Sequence, residues 1–239
     1  MNNITKNKIH DGQIVSERLK FILDKIDLDD SKIIFDIGSW HLNQSIELNS
    51  IFPNAIIHAF EPVPESYNEC INKSSSYSNI KVHNLALSNF NGEASFYPVD
   101  PNLSSSPNIG ASSLLKFKDG LNGSFFNQTW VQKEIKTQVK TLDEWVDINN
   151  INFIDIIWID VQGSELQVFE GAKNILQNTK VILTEVGLKP YYEGHSMKKD
   201  IDIFMDENNF IEVSDSFELN GFDFEANTIY VNKNYLNQL

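Results

Sequence analysis

Three apolar runs of this chain end in a carboxylate, and these acids are the residues best suited to chemistry. Asp36 closes the run in "FDIGSW", Glu61 closes the run in "HAFEP", and Asp160 closes the run in "WIDVQG". No lysine or arginine stands next to any of the three. A carboxylate accepts hydrogen bonds from hydroxyl groups and attracts cations. The pattern therefore favours a polyhydroxyl or cationic ligand over a pyrophosphate.

The glycine pattern of the first loop narrows the ligand further. Gly38 stands where a nucleotide-binding turn has its first glycine, but Trp40 and Asn43 occupy the positions of the further glycines that approach a pyrophosphate. Glu61 lies 25 residues after Asp36, close to the spacing of an acid that binds both ribose hydroxyls. This favours a nucleoside without phosphates, such as S-adenosylmethionine. A plain turn at Gly38 and a helix-capping role for Glu61 are the alternatives.

A second group of residues could handle a proton. Asp160 and Glu185 end two successive predicted strands, and His195 follows ten residues after Glu185. An alcohol does not ionise unaided at neutral pH, so transfer of any group to a hydroxyl needs a base or a metal. We predict that these three residues are catalytic, with His195 as the base or with a divalent ion such as Mg or Mn. Helix capping by Asp160, a salt bridge from Glu185 to Lys189 and a surface position for His195 are the alternatives.

Apolar runs alternate with amphipathic segments along the chain, as in α/β proteins. The predicted strands are "KIIFDIG", "AIIHAFEP", "NIKVHNLALS", "FIDIIWID" and "KVILTEV". Such continuous apolar strands predict a doubly wound, mostly parallel sheet with helices on both faces. Ligands of open α/β sheets bind at the carboxyl ends of the strands. The predicted cofactor-binding residues come from those ends: Asp36, Gly38, Ser39, Glu61, Pro62, Asn84, Ala86, Asp160 and Gln162.

The chain divides into a short leading segment and one domain. Residues 1–30 are predicted to be helical, with an amphipathic helix over 13–26, and residues 31–239 form the domain. Within it, residues 88–140 are predicted to be an irregular insertion, of which the Ser-, Asn- and Pro-rich part 101–125 is a candidate lid. Helices are expected to begin at Pro64 and at Thr141, the latter by capping-box spacing.

Composition bears on partners and compartment. The 239 residues carry a net charge of −14 with one arginine, so the basic surface that nucleic acid or anionic lipid requires is not expected. The single cysteine, Cys70, cannot form an internal disulfide and suits a reducing compartment. The N-terminal sequence lacks the apolar core of a signal peptide, and no apolar run reaches membrane-spanning length. We expect a cytoplasmic protein without nucleic-acid or membrane partners.

The motifs in their order resemble the FkbM family of S-adenosylmethionine-dependent methyltransferases over most of residues 33–232. The segments that carry the resemblance are "FDIGSW", "HAFEPVPESY", "VHNLALSNFNGEASF", "SSL", "TLDEW", "WIDVQGSELQVFEGA", "TEVGLKPYYEG" and "GFDFEANTIYVNK". The resemblance implies a class I methyltransferase (Rossmann-like) sheet of seven strands with the last strand antiparallel. It also implies S-adenosylmethionine as the methyl donor and a hydroxyl of a small molecule or glycan as the acceptor.

Two other functions are compatible with parts of the sequence. The altered first loop, with Trp40 in place of a glycine, would suit a catalytically silent nucleoside-binding or interaction domain that kept the fold. An NAD-dependent enzyme is disfavoured because the glycines that accommodate a pyrophosphate are missing.

Overall fold

The computed structural model describes residues 32–105, 107–118, 130–213, 218–219 and 225–236. The predicted helical segment 1–30, with its helix over 13–26, lies outside the described residues. So do residues 119–125 of the candidate lid.

Helices and strands alternate over most of the described chain. The strands are β1 (Ile33–Ile37), β2 (Ile56–Phe60), β3 (Ile80–His83), β4 (Ala86–Leu87), β5 (Gly92–Phe96), β6 (Ile135–Lys140), β7 (Ile154–Ile159), β8 (Thr179–Gly187), β9 (Phe210–Glu212), β10 (Glu218–Leu219) and β11 (Glu225–Asn232). The helices are α1 (Asn43–Ile51), α2 (Pro64–Ser74), α3 (Leu142–Ile148), α4 (Glu165–Glu170), α5 (Lys173–Leu176) and α6 (Lys198–Glu207). None of the helices that the structure describes is long and apolar enough to cross a bilayer.

The main sheet has the strand order β10-β11-β8-β7-β1-β2-β3, and β9 pairs with β11. Five neighbouring strands of this sheet, β8, β7, β1, β2 and β3, are parallel, whereas β11 runs antiparallel to β8. This confirms the predicted α/β class with a mostly parallel sheet whose last strand is antiparallel. The order reverses beside β1, so the loops after β1 and β7 leave the same edge of the sheet side by side.

Two apolar clusters bury the sheet, one on each face. Successive side chains of a strand point to opposite faces, and accordingly Phe35 and Ile157 enter one cluster while Ile34 and Ile156 enter the other. Residues of α3, α4, α5 and α6 complete the first cluster, and residues of α1 and α2 complete the second. Because both faces are covered, the central strands are mostly apolar, with buried polar exceptions such as His58 of β2 and Asp155 of β7.

Local signals fixed the starts of two helices as predicted. Pro64 is the first residue of α2, where its missing N–H costs no helical hydrogen bond. The Thr141 hydroxyl accepts a hydrogen bond from the Glu144 N–H at 3.2 Å and caps α3.

The predictions for residues 79–88 and 88–140 need correction. The segment expected to be a single third strand splits into β3 and β4, and these belong to different sheets. The insertion is not irregular throughout, because β5 and β6 pair with β4 in a second sheet of order β4-β6-β5. In β6 the buried residues Thr137 and Val139 alternate with exposed ones. That alternation was visible in the sequence, but it is too short to distinguish a strand from a loop without its partners.

Gly171, between α4 and α5, joins the small sheet to the helical layer. A Cβ atom at this glycine would lie 2.1 Å from the carbonyl oxygen of Ser88, which directly follows β4. The Gly171 carbonyl also accepts a hydrogen bond from the Asp143 N–H of α3 at 2.9 Å. The Asp143 carboxylate in turn accepts from the N–H groups of Asn174 and Ile175 in α5. Glycine is therefore required here for close backbone contact.

We predict that Gly171→Ala destabilises the fold. The added carbon would meet a backbone carbonyl, which cannot swing away as the end of a flexible side chain can. We expect the free energy of unfolding to fall by about 2–4 kcal/mol, measured by urea denaturation. Glu207→Ala, at an exposed position at the end of α6, serves as the control and should change stability by less than about 0.5 kcal/mol. Similar stabilities for the two variants would contradict the role of Gly171.

Candidate active site

A cleft of about 530 Å³ lies at the carboxyl ends of β1, β2 and β7. Five residues from the predicted cofactor set line it: Gly38, Glu61, Pro62, Ala86 and Asp160. The rest of the wall is mostly apolar and consists of Ile37, Trp40, Phe60, Val63, Ser66, Leu85, Leu87, Phe96, Ile109, Gly110, Ser112, Leu114, Val161 and Ser164. None of these described lining residues is a lysine or an arginine. The cleft thus suits a largely apolar ligand that bears hydroxyl groups or positive charge.

Gly38 sets the distance between the loops that follow β1 and β7. Its φ is +88°, and a Cβ atom there would lie 1.9 Å from the carbonyl oxygen of Asp160. The Asp160 N–H donates to the Ile37 carbonyl at 2.9 Å, which extends the β1–β7 pairing by one residue. No side chain fits between these backbones. As a result Asp160 is held directly beside the first loop.

Trp40 adopts a conformation that usually favours glycine. Its φ is +44°, and its N–H donates to Oε2 of Glu61 at 2.8 Å. Its indole packs on Gly110, where a Cβ atom would lie 3.2 Å from the ring. The loop thus keeps a left-handed turn at the position of the absent glycine, and the large side chain becomes part of the cleft wall.

Glu61 is buried and its carboxylate is fixed in place by the backbone. Oε1 accepts from the Val63 N–H at 2.8 Å, and Oε2 accepts from the Trp40 N–H. Val63 precedes the first residue of α2, so the capping alternative describes one of these contacts. Burial raises the pKa of Glu61 to about 7. Because Glu61 also lines the cleft and each oxygen has a second lone pair, it can accept from ligand hydroxyls as well.

Four of the predicted cofactor-binding residues, Asp36, Ser39, Asn84 and Gln162, are not among the residues that line the cleft. Asp36 and Ser39 are fully buried beneath the first loop. Asn84 is exposed, and its amide donates to the Glu61 carbonyl at 2.9 Å, so it supports the second loop from outside. Gln162 uses its side chain on other protein groups. These four residues were predicted only from their position at strand ends. That position does not show whether a residue lines the cleft or lies behind the residues that line it.

Asp36 is the most enclosed of the acids at this edge of the sheet. Its Oδ2 accepts from the Ser45 hydroxyl at 2.5 Å, whereas Oδ1 has no hydrogen-bond partner among the described residues. Burial raises its pKa to about 6, and the nearby charge of Asp160 acts in the same direction. Asp36 contributes negative potential behind the cleft rather than a contact in its wall.

The structure brings together two of the three predicted catalytic residues. The side-chain amide of Gln162 donates to Oδ1 of Asp160 at 2.7 Å and to Oε2 of Glu185 at 2.9 Å. Burial raises the pKa of Glu185 well above its usual range, and the charges of Asp160, Glu225 and Glu165 raise it further. Asp160 lines the cleft, and Glu185 lies behind it on β8.

His195 does not occupy the predicted catalytic position. Its Nδ1 accepts from the Tyr191 N–H at 3.1 Å, and its Nε2 faces Gly187, where a Cβ atom would lie 2.3 Å away. Burial lowers its pKa to about 4, so the ring is neutral at pH 7. Since a backbone N–H occupies the Nδ1 lone pair, Nε2 carries the ring proton. In this arrangement the ring has no lone pair available for an acceptor's proton, and the role of His195 as the base stays a prediction that these contacts do not support.

The metal alternative for Asp160, Glu185 and His195 has no site built for it. No group of three or more His, Cys, Asp or Glu side chains within the described ranges is arranged to hold a metal ion. The side-chain amide of Gln162 lies between Asp160 and Glu185 and donates a hydrogen bond to each of them.

A segment over residues 107–118, here called the covering segment, forms one side of the cleft. Ile109, Gly110, Ser112 and Leu114 line the cleft from this segment. The Ser113 hydroxyl donates to the Gln162 carbonyl at 2.9 Å, and the Tyr192 hydroxyl lies 2.9 Å from the Ala111 carbonyl. The composition of this region predicted a lid, but the sequence did not identify Ser113 and Ala111 as the residues that connect the segment to Gln162 and Tyr192. Its lining residues and those of β4 and β5 became visible only in three dimensions.

A family model described as a methyltransferase FkbM domain matches residues 34–212. The chain belongs to the FkbM methyltransferase family. The matched range contains the cleft and every candidate residue discussed above, from Asp36 to His195. The predicted family and enzyme class, an S-adenosylmethionine-dependent methyltransferase, are confirmed.

Two characterised relatives match most of the enzyme. The 2-O-methyltransferase NoeI of Sinorhizobium fredii strain NGR234 is 29% identical over 189 residues, which cover 78% of this chain and 72% of the relative. The hexuronic acid methyltransferase AglP of Haloferax volcanii is 25% identical over 182 residues, which cover 75% of this chain and 65% of the relative. Both relatives are methyltransferases by name.

The fold is also similar to that of a solved methyltransferase. The magnesium protoporphyrin IX methyltransferase ChlM from Synechocystis PCC 6803, with bound S-adenosylmethionine, superposes with a TM-score of 0.50. The alignment covers 92% of this chain and 78% of that chain at 10% sequence identity. At this identity the likeness bears on the fold alone, and it agrees with the class I sheet described above.

We predict that Glu61→Gln lowers the affinity for S-adenosylhomocysteine at pH 8 by about 10-fold or more, measured by calorimetric titration. An amide nitrogen cannot accept a hydrogen bond, so the variant loses a charged acceptor whose hydrogen bonds contribute about 1.5–3 kcal/mol. In the native enzyme the pKa of Glu61 is about 7. The ionised form of Glu61, which is the form expected to accept from both ribose hydroxyls of the ligand, is therefore lost as pH falls from 8 to 6.

Two further measurements check the role of Glu61. The native affinity should rise between pH 6 and pH 8, and this part of the pH dependence should be absent in Glu61→Gln. Glu65→Gln, an exposed position on α2, is the matched control and should keep the native affinity at both pH values. Native affinity in Glu61→Gln would contradict the ribose contact.

Proposed function

We propose that the enzyme transfers a methyl group from S-adenosylmethionine to a hydroxyl group of a glycan or of a related small molecule. The observation that carries the proposal is the occurrence of two carboxylates, Glu61 and Asp160, in one apolar cleft without a cation in its described wall. This combination fits a nucleoside that carries a positive charge and lacks phosphate groups.

The described residues fit the cofactor in two respects. Glu61 is held by two backbone N–H groups, so its free lone pairs are oriented before a ribose diol binds. Asp160 lines the cleft and Asp36 lies behind it, and their negative charge favours an ammonium or sulfonium group. When bound, S-adenosylmethionine supplies an electrophilic methyl group. The apolar wall, which includes Phe60, Pro62 and Ala86, excludes water from the base and sugar.

Asp160 is the group proposed to contact the acceptor. Its carboxylate would accept a hydrogen bond from the acceptor hydroxyl, orient that oxygen, and take or share its proton as the new bond forms. Glu185 would act from behind, since its amide contact to Gln162 connects it to Asp160 rather than to the cleft. His195 has a supporting role in this proposal, against Gly163 and Gly187.

The acceptor class is suggested by the relatives and by charge. NoeI is named for 2-O-methyl transfer, and AglP is named for methylation of hexuronic acid, which is a carbohydrate. A net charge of −14 disfavours a nucleic-acid acceptor, because it repels a phosphate backbone. A hydroxyl on a glycan is the acceptor that fits both points.

Direct titration separates this proposal from the alternatives. An NAD-dependent enzyme would bind NAD more tightly than S-adenosylhomocysteine, although the cleft has no cation in its described wall for the pyrophosphate. A catalytically silent domain would bind S-adenosylhomocysteine but would transfer no methyl group to any hydroxyl acceptor.

We predict that Asp160→Asn lowers turnover by about 100-fold, within the range typical of a lost general base. The measurement is transfer of radiolabelled methyl groups from S-adenosylmethionine to a panel of neutral and acidic glycans. The affinity for S-adenosylhomocysteine should fall less than turnover does. Asp200→Asn, an exposed position on α6, is the control and should retain native turnover. Native turnover in Asp160→Asn would overturn the assignment.

We also predict that the covering segment closes on the bound ligands. Hydrogen exchange of residues 107–118 should slow when S-adenosylhomocysteine is added and slow further with an acceptor, because Ile109, Gly110 and Leu114 would then contact ligand. The strand β7 serves as the internal reference and should not change. Exchange in residues 107–118 that is equally slow with and without ligand would refute closure.

A further inference from the structure

The side chain of Gln162 has every hydrogen-bonding group committed to another protein side chain. Its two amide hydrogens go to Asp160 and Glu185, at 2.7 and 2.9 Å, and its carbonyl oxygen lies 3.0 Å from the Tyr192 hydroxyl. This orientation of the amide directs its hydrogens toward the two carboxyl groups and its oxygen toward the Tyr192 hydroxyl. The side chain of Gln162 therefore has no hydrogen left to donate to a cofactor.

The backbone of Gln162 is equally constrained. Its φ is +55°, in the left-handed region, within the short loop between β7 and α4. The Ser113 hydroxyl of the covering segment donates to its carbonyl oxygen at 2.9 Å. The loop is further held by Glu165, whose Oε1 accepts from the N–H groups of Val161 and Gly163. A strained residue that is fixed on both sides is typical of a functional site.

Tyr192 links this network to the covering segment. Its side chain is buried in a small apolar cluster with Ala111 and Phe117 of that segment. Its hydroxyl lies within hydrogen-bond distance of both the Ala111 carbonyl and the Gln162 side-chain oxygen. The hydroxyl has a single hydrogen, which these two oxygens share, so the position of the covering segment and the orientation of the Gln162 amide are coupled through it.

We propose that Gln162 is a positioning residue for methyl transfer, which holds the Asp160 carboxylate toward the acceptor and separates it from Glu185, with Tyr192 fixing the amide when the covering segment is in place. The inference rests on the proposed role of Asp160. A neutral amide is suited to this role. A lysine would pair with both carboxylates and neutralise them, and a carboxylate at this position would add a third negative charge.

The decisive test is a double-mutant cycle. Gln162→Met keeps the length of the side chain and removes its hydrogen bonds. We expect it to lower kcat at least 10-fold, with KM for the acceptor and the dissociation constant of S-adenosylhomocysteine changing by less than about threefold. In the Asp160→Asn background the same change should lower kcat less than twofold, because Gln162 acts through Asp160. Gln138→Met, at an exposed position on β6, is the matched control and should match the native enzyme in every measurement.

Each result of the cycle decides the proposal. Equal losses from Gln162→Met in the native and Asp160→Asn backgrounds would overturn it, since the two residues would act independently. A loss of cofactor affinity as large as the loss of kcat would also overturn it, because Gln162 would then be a cofactor ligand. Tyr192→Phe should lower kcat in the same direction and by a smaller factor, and native kcat in this variant would remove Tyr192 from the inference.

A measurement without turnover separates this inference from the proposed function. In enzyme with ¹³C-labelled carboxyl groups, the titration midpoint of Asp160 should be higher in Gln162→Met than in native enzyme, because the carboxylate loses a hydrogen-bond donor. Glu185 loses the same amide donor, so its midpoint is followed alongside that of Asp160, whereas Asp36, Glu165 and Glu225, whose carboxylates also surround this network, keep their contacts in the variant. If native enzyme methylates no hydroxyl acceptor but the midpoint shifts, the proposed function fails and the positioning contact stands. An unchanged midpoint overturns the positioning role.

Discussion

The candidate site depends on the contact between the backbone of Gly38 and the carbonyl of Asp160. The two loops meet so closely that a Cβ atom at Gly38 would lie 1.9 Å from the Asp160 oxygen. This contact continues the pairing of β1 with β7 beyond the strands themselves, through the Asp160 N–H and the Ile37 carbonyl. It places Asp160 next to the loop whose next turn, at Trp40, is tied to Glu61. If the two loops were further apart, the two carboxylates would not share a cleft.

Burial dominates the electrostatics at this edge of the sheet. It is the largest cause of the raised pKa of Asp36, Glu61, Glu165 and Glu185. Neighbouring negative charge raises the pKa of each of these acids further, and hydrogen bonds to the carboxylates lower it in part. The contacts given for these acids among the described residues come from neutral donors: backbone N–H groups for Glu61 and Glu165, a hydroxyl for Asp36 and an amide for Glu185. Neutral donors preserve the negative potential, which a cationic cofactor can then use.

Much of the fold could be predicted because its signals are local or periodic. The apolar runs gave the central strands, and Pro64 and Thr141 marked the starts of two helices. The second sheet could not be predicted with the same signals, since β4 has two residues and pairs with β6 across a separation of about fifty positions. In the site, Glu61 and Asp160 were recognisable because an acid at the end of a buried strand is unusual. The hydrogen bond to Nδ1 of His195 comes from the backbone N–H of Tyr191, and a backbone donor cannot be recognised from the residue type.

The sequence by itself determined the family through its motifs, and it determined the parallel sheet and the strand ends at which the acids gather through its pattern of apolar runs. Only the tertiary structure decided which of those acids faces the cleft. Asp36 lies within β1, pairs with Trp158 of β7 and is enclosed with Ser45, whereas Asp160 lies two residues further along, beyond the end of β7, and lines the wall. The loops that follow also differ, since Gly38 has a φ of +88° beyond Asp36 and Gln162 has a φ of +55° beyond Asp160. Such loop conformations depend on contacts between distant segments, and these contacts exist only once the chain has folded.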